Sequence, residues 1–214
     1  MTIFINNFRK IGYLFIAITF NCANAGSYED FFEAIAHNDP ATVGALLKRG
    51  FDPNSRDAKG DTGLIVASRE GSFLAGEALL AAPGLEIDTL NEAGESALMM
   101  AALQGQLDWC RRLLDRGAQV NKSGWSPLHY AAAGAQTRVV ELLLDRGAAI
   151  DAESPNQTTP LMMAARYGAE ASADLLLARG ADPRRRNDHR LSAADFARAA
   201  GRGALAARLD RVAR

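Results

Sequence analysis

The sequence predicts an all-α fold: a solenoid of about six helix-turn-helix units joined by short β-hairpin fingers. Three observations carry that prediction. Leu-Leu pairs run into glycine at Leu46-Leu47…Gly50, Leu113-Leu114…Gly117, Leu143-Leu144…Gly147 and Leu176-Leu177…Gly180, so one kind of helix ending recurs along the chain. A helix-opening leucine recurs at Leu64, Leu98, Leu128 and Leu161, with Ala194 in its place in a last copy, at intervals of 34, 30, 33 and 33. The segments between these marks are apolar on one face and too short to stand alone, so each pair needs neighbours. The long interval reflects one extra residue in Leu79-Leu80-Ala81-Ala82-Pro83-Gly84. The short one reflects residues missing between Gly117 and Leu128, eleven steps where the other copies have fourteen.

Residues 1–25 are expected to lie outside the fold. Arg9 and Lys10 precede an apolar run from Ile11 to Phe20, and Ala23-Asn24-Ala25 offers a small-x-small cleavage site. That is the layout of a secretory signal peptide cleaved after Ala25. An uncleaved anchor fits less well, because even Ile11 to Ala25 is shorter than the roughly 20 apolar residues of a spanning helix. Cys22 leaves with the leader, Thr19-Phe20-Asn21 being a poor lipidation motif. The expected destination is the bacterial periplasm, with no membrane span in the mature chain.

Residues 26–56 read as an N-terminal cap. No finger precedes Tyr28 to Ile35, Phe31 takes the leucine's place, and Asp39-Pro40 starts a second helix ending at Lys48-Arg49-Gly50. Residues 57–186 hold four full repeats. The first keeps Gly60 and Thr62 ahead of Gly63-Leu64-Ile65, and the second reads Gly94-Glu95-Ser96-Ala97-Leu98-Met99. The third is the most complete. Its Ser126-Pro127-Leu128-His129 opens a helix at proline, where the missing N–H costs nothing, with Ser126 placed to cap it. Leu128, Ala131 and Ala132 give one apolar face, and Val139, Val140, Leu143 and Leu144 give another on a second helix that Gly147 ends. Its shortened finger, Val120 to Trp125, leaves a notch with Trp125 at the edge. Trp125 either meets a partner or folds over the finger and fills space. The fourth repeat runs Thr158-Thr159-Pro160-Leu161-Met162-Met163-Ala164-Ala165, and residues 187–214, arginine-rich with degraded spacing, read as a C-terminal cap.

Ser126-Pro127-Leu128-His129, the Leu-Leu-x-x-Gly endings and the 33-residue period together resemble the ankyrin repeat, whose Thr-Pro-Leu-His signature has Ser for Thr here. The resemblance covers about residues 28 to 212. It implies that His129 is the family's structural, hydrogen-bonding histidine; the repeats with Ile65 and Met99 lack it, which puts that network in doubt there. It also implies protein binding through finger tips and the exposed side of each first helix. The matching positions lie three before the leucine and five and six after it: Asp61, Arg69 and Glu70; Glu95, Leu103 and Gln104; Trp125, Ala133 and Gly134; Thr158, Arg166 and Tyr167. Lys59, Glu92 and Asn156 stand beside them in the fingers, and Trp125, Arg166 and Tyr167 are the expected anchors. An interface of standard size, about 800 Å² per partner, would span three or four units.

Composition is that of an ordinary soluble chain, 48% apolar and 23% charged. Without Arg9 and Lys10 the formal net charge moves from −1 to −3, and it is unevenly spread. Residues 26–110 carry 5 basic and 14 acidic side chains, residues 111–214 carry 17 and 11. In a one-dimensional array this gives an acidic end and a basic end, which either solvates the surface or orients a partner. After the leader Cys110 is the sole cysteine, so no intramolecular disulfide forms; it stands where Val140 does and reads as buried packing. The Met99-Met100 and Met162-Met163 pairs read the same way. His37, His129 and His189 fall in separate units, and there is no metal-ligand spacing, phosphate loop or serine elbow. Asp57 and Asp61 read as turn formers. Arg184-Arg185-Arg186 lacks interleaved aromatics, and nucleic acid is not expected. The expectation is a monomeric, non-catalytic protein–protein interaction module without cofactor or metal: a scaffold or accessory subunit for an exported protein, or alternatively an inhibitor or immunity-type protein.

Overall fold

The computed structural model describes residues 26–214, so the leader expected over 1–25 lies outside the described residues. Six helix pairs follow one another: α1 (26–36) with α2 (Pro40–Lys48), α3 (Gly63–Glu70) with α4 (Phe73–Leu80), and α5 (Ala97–Gln104) with α6 (Leu107–Asp115). Then come α7 (Pro127–Ala133) with α8 (Thr137–Asp145), α9 (Pro160–Arg166) with α10 (Glu170–Ala178), and α11 (Ala193–Ala199) with α12 (Gly203–Val212). Among the described residues no helix is long and apolar enough to cross a membrane.

The first helices open alike for a local reason. Thr62, Ser96, Thr159 and Ser192 are extended, and each side-chain oxygen accepts the N–H of the third helical residue. Ser126 departs from this, its hydroxyl lying 2.9 Å from His129 Nδ1. Helices of seven to ten residues are marginal alone, and stacking supplies what they lack. Helix α3 packs on α5, α5 on α7, α7 on α9 and α9 on α11. The recurring leucines point into these contacts: Leu64, Leu98, Leu128 and Leu161 are at most 1% exposed and Ala194 is 3% exposed. Each buried leucine contributes about 1.5–3 kcal/mol. Trp109 of α6 lies across Gly76 of α4, where an added Cβ would come within 2.7 Å of the indole, and its Nε1 donates to Ser68 Oγ at 2.8 Å.

Two ladders tie each unit to the next. On one, a side-chain oxygen accepts a backbone N–H one unit on: Asn54 from Glu86 at 2.8 Å, Asp88 from Gln119 at 2.9 Å, Asn121 from Ala149 at 2.8 Å and Asp151 from Asp182 at 3.1 Å. On the other, an arginine reaches back to a carboxylate: Arg112 to Glu77, Arg146 to Asp115, Arg179 to Asp145 and Arg208 to Asp174. These pairs are half-exposed and contribute little singly, about 0–1 kcal/mol.

The fingers differ from the expected β-hairpins. No strand forms among the described residues, and Arg56 and Thr62 make an isolated bridge. The reason is side-chain competition for the backbone. Asp57 Oδ1 accepts from Lys59 N and Asp61 N, Asn91 Oδ1 from Glu95 N, Ser154 Oγ from Thr158 N, and Asn187 Oδ1 from His189 N and Leu191 N. Each finger is thus a tight turn rather than a ladder. Its last residue is left-handed, with φ of 77° at Gly60 and 79° at Gly124. Asn54, Asp88 and Asp151 stand ten residues before their leucines, whereas Asn121 stands seven before Leu128. The missing residues therefore come from the tip, and the ladder is intact.

One helix position is open to improvement. Gly44 lies inside α2 with nothing within 4 Å of a built Cβ. Gly44→Ala is expected to raise stability by about 0.5–1 kcal/mol, read as a higher midpoint in urea; an unchanged or lower midpoint would contradict this packing.

Candidate functional site

Superposing the repeats in register lays four tracks along the concave side, three before the leucine and two, five and six after it. The track two residues after it reads Val66, Met100, Tyr130, Met163 and Phe196, large side chains in every copy after the first.

The N-terminal part of this surface is a hydrogen-bonded chain. Arg69 pairs with Asp61 at 2.5 Å, and Asn91 Nδ2 donates to Asp61 Oδ1 at 2.8 Å and to Glu95 Oε2 at 3.0 Å. Tyr130 Oη completes the chain by donating to Glu95 Oε1 at 2.9 Å. Burial would raise the Asp61 carboxyl, but the bonds from Arg69 and Asn91 outweigh it and hold it below the usual carboxylate range. Burial, with Glu95 beside it, pushes the Tyr130 phenol up, so it stays a donor. Asp61 is therefore a clamp between units: it is 2% exposed.

Beside this chain opens a cavity of about 260 Å³ lined by Leu103, Trp125, His129, Tyr130, Ala133 and Met163. Three units build it, contributing from α5, α7 and its finger, and α9. Trp125 is half-buried, its ring edge-on to His129 with centroids 5.3 Å apart. His129 is fully buried and spans two units: Nε2 donates to the Thr158 carbonyl at 2.8 Å, and Nδ1 accepts from Ser126 N at 3.2 Å. Burial pushes its imidazole down to about 4, so it is neutral at pH 7. The His129 and Tyr130 polar groups in the cavity wall are thus engaged by the protein itself. Past the cavity, Arg166 lies 5.2 Å over the Tyr167 ring and 5.9 Å from the Phe196 ring, and Tyr167 is 58% exposed.

Of the residues singled out from sequence, Leu103 and Trp125 meet in one cavity, and Arg166 and Tyr167 meet each other. Glu70, Gln104, Lys59, Glu92 and Asn156 are exposed along the rim and fingers; Arg69 and Glu95 are half-buried in the polar chain. Thr158, like Asp61, is 2% exposed and faces inward, serving the His129 bond through its carbonyl. Sequence reasoning missed Tyr130 and Phe196 and read Met163 as packing. The position two after each leucine, which holds a large side chain in every copy after Val66, is the signal that finds them.

A wider depression of about 560 Å³ lies among α4, α6 and α8, lined by Phe73, Trp109 and the Glu77–Arg112 pair. Glu77 and Arg112 satisfy each other and Asp108 pairs with Arg111, while Arg138 at the edge makes no ion pair among the described residues. Among the described residues no group of three or more His, Cys, Asp or Glu is placed to hold a metal.

Stacked helix pairs with a varied concave face and uniform interior define a helical-repeat module that recognises by shape. The family model described as ankyrin repeats (3 copies) matches twice, at residues 31–123 and 119–187, and the chain belongs to the ankyrin-repeat family. Curated relatives include the human photoreceptor ankyrin repeat protein, 37% identical over 86 residues, covering 38% of this chain and 19% of the relative. NF-kappa-B inhibitor alpha is 31% identical over 93 residues in Sus scrofa and 34% over 94 in Rattus norvegicus, covering 41% of this chain and 30% of each relative. The chain thus spans under a third of the length of these relatives. Its family membership makes it a protein–protein interaction module.

Proposed function

We propose that this chain is exported to the bacterial periplasm and, as a monomer, holds another protein against its concave face as a scaffold or accessory subunit. The observation that carries the binding reading is the apolar cavity between Leu103, Trp125, Tyr130 and Met163, with Arg166 and Tyr167 exposed beyond it. Trp, Tyr and Arg are the side chains that dominate binding energy. What supports export is the leader-like run over residues 1–25 and an interior indifferent to oxidation. Cys110 is buried and its thiol is pushed up to about 12 by desolvation, so little thiolate forms.

Pull-down from a periplasmic extract tests this. Trp125→Ala, Arg166→Ala and Tyr167→Ala are each expected to weaken capture by about 10- to 30-fold. The exposed Arg166 and Tyr167 changes should move stability by less than about 1 kcal/mol. Retained capture with a lowered melting temperature would mean these side chains serve packing.

The local similarity to NF-kappa-B inhibitor alpha favours a second reading, that of an inhibitor or immunity-type protein. Partner activity measured at one-to-one stoichiometry separates the two. Abolished activity supports the inhibitor; unchanged or enhanced activity supports the scaffold.

A further inference from the structure

The cavity on the concave face is too small for a typical ligand and too dry for a polar one. Its volume, about 260 Å³, is below the roughly 300–1,000 Å³ of small-molecule and cofactor sites. Apart from the Trp125 indole N–H, the polar groups of its wall are engaged: both His129 nitrogens bond to Ser126 and Thr158, and Tyr130 Oη bonds to Glu95. Unpaired polar atoms entering it would lose water without recompense. The occupant is therefore an apolar side chain.

The two approaches to the cavity differ in charge. Toward the N-terminal units stand two exposed carboxylates, Glu70 and Glu92, beside one exposed cation, Lys59, none of them in an ion pair among the described residues. Toward the C-terminal units stands Arg166, whose guanidinium lies over rings rather than a carboxylate. The bias extends beyond these residues, since residues 26–110 carry 5 basic and 14 acidic side chains and residues 111–214 carry 17 and 11. The cavity, built from α5, α7 and α9, sits where the sign changes.

We propose that this cavity receives one aliphatic or aromatic side chain of a partner segment whose two flanks carry opposite charge. The basic flank runs over Glu70 and Glu92 and the acidic flank runs toward Arg166. The proposal rests on the protein-binding reading and specifies the chemistry of what is bound. Complementary potentials of this kind fix register and orientation more than they add affinity. The buried anchor supplies the affinity, and the charges on either side decide which way the segment lies.

Selection of phage-displayed random peptides against the purified protein tests the inference without a known partner. Enriched peptides are expected to share an apolar residue between a basic and an acidic flank. Ala133→Arg, which fills the cavity, should weaken them at least tenfold, by about 1.4 kcal/mol or more. Leu103→Glu at the exposed rim should do the same if the first variant folds poorly. Arg166→Glu should weaken them, and replacing the acidic flank of the peptide with lysine should restore binding to that variant. No enrichment, flanks of a single sign, peptides without an apolar anchor, or affinity unmoved by the cavity variants would overturn the proposal. The underlying reading fails separately, if a native partner is captured equally by wild type and by Trp125→Ala, Arg166→Ala and Tyr167→Ala.

Discussion

Replacing Gly168 with alanine should destabilise the protein by about 3 kcal/mol, lowering the melting temperature by on the order of 6–12 °C for a chain of this size. A Cβ there would lie 2.1 Å from the Ala132 carbonyl oxygen and 2.9 Å from Ala164 Cα. Both are backbone atoms of packed first helices, so no side chain can swing aside, and the units must separate. Gly134 makes the matching approach one unit earlier, its built Cβ 2.3 Å from the Leu103 carbonyl oxygen. Because a solenoid is held by nearest-neighbour interfaces, the damage should be local. Hydrogen exchange in Gly168→Ala is expected to speed up in α9 to α12 before α3 to α6. An unchanged melting temperature would show that the repeats are not in backbone contact there.

Acid should weaken the array well above the carboxylate range, and one imidazole is responsible. His129 is held near 4 in the folded chain by burial, against an ordinary value of 6.5. Nδ1 accepts from the Ser126 N–H, so a proton on that nitrogen would set donor against donor. Above pH 6.5 the ring is neutral in both states and its contribution is complete. As pH falls from 6.5 to 4 the unfolded chain takes up a proton that the folded chain refuses, and stability drops by about 3 kcal/mol in total. Below 4 this group adds nothing more. Carboxylates held low, such as Asp39 by the Thr42 hydroxyl, lose their contribution only as pH falls below their ordinary 3.8, so the windows do not overlap. The chain contains its own control. Met99 and Met162 occupy the same register, and their sulfurs accept from Ser96 N and Thr159 N at 3.4 Å. His129→Met should therefore keep the fold at a cost of about 1–2 kcal/mol for the Thr158 carbonyl left without its donor. Urea midpoints for that variant should be flat between pH 6.5 and 4; a slope equal to wild type would place the acid sensitivity elsewhere.

What could be read in advance divides along physical lines. The leucines, the glycine endings and the capping Ser and Thr residues recur because packing and backbone geometry demand the same chemistry in every unit. Repetition inside a single chain reveals such demands without any homologue. The concave surface carries no such constraint, so register located Leu103, Trp125, Arg166 and Tyr167 but not which of them meet. That depends on how three units converge. Asp61 and Thr158 show the limit: both stand at a surface-facing register, yet Arg69 and Asn91 draw one inward and the His129 bond engages the carbonyl of the other. The fingers are turns rather than hairpins because Asp57, which reads in sequence only as a turn former, and likewise Asn91, Ser154 and Asn187 accept backbone N–H groups and so compete with strand pairing. Met163 reads in sequence as helix packing, and Tyr130 directly follows a motif whose demands are architectural.

The shortened finger before α7 has a consequence for how such a surface diversifies. Asn121 still grips Gly147 and Ala149, and Gly124 still turns left-handed into the helix, so the array closes as if nothing were missing. Tip length is thus decoupled from the stacking beneath it. Residues can be spliced in or cut away between those two anchors, reshaping the rim above Trp125 while the spine keeps its pitch.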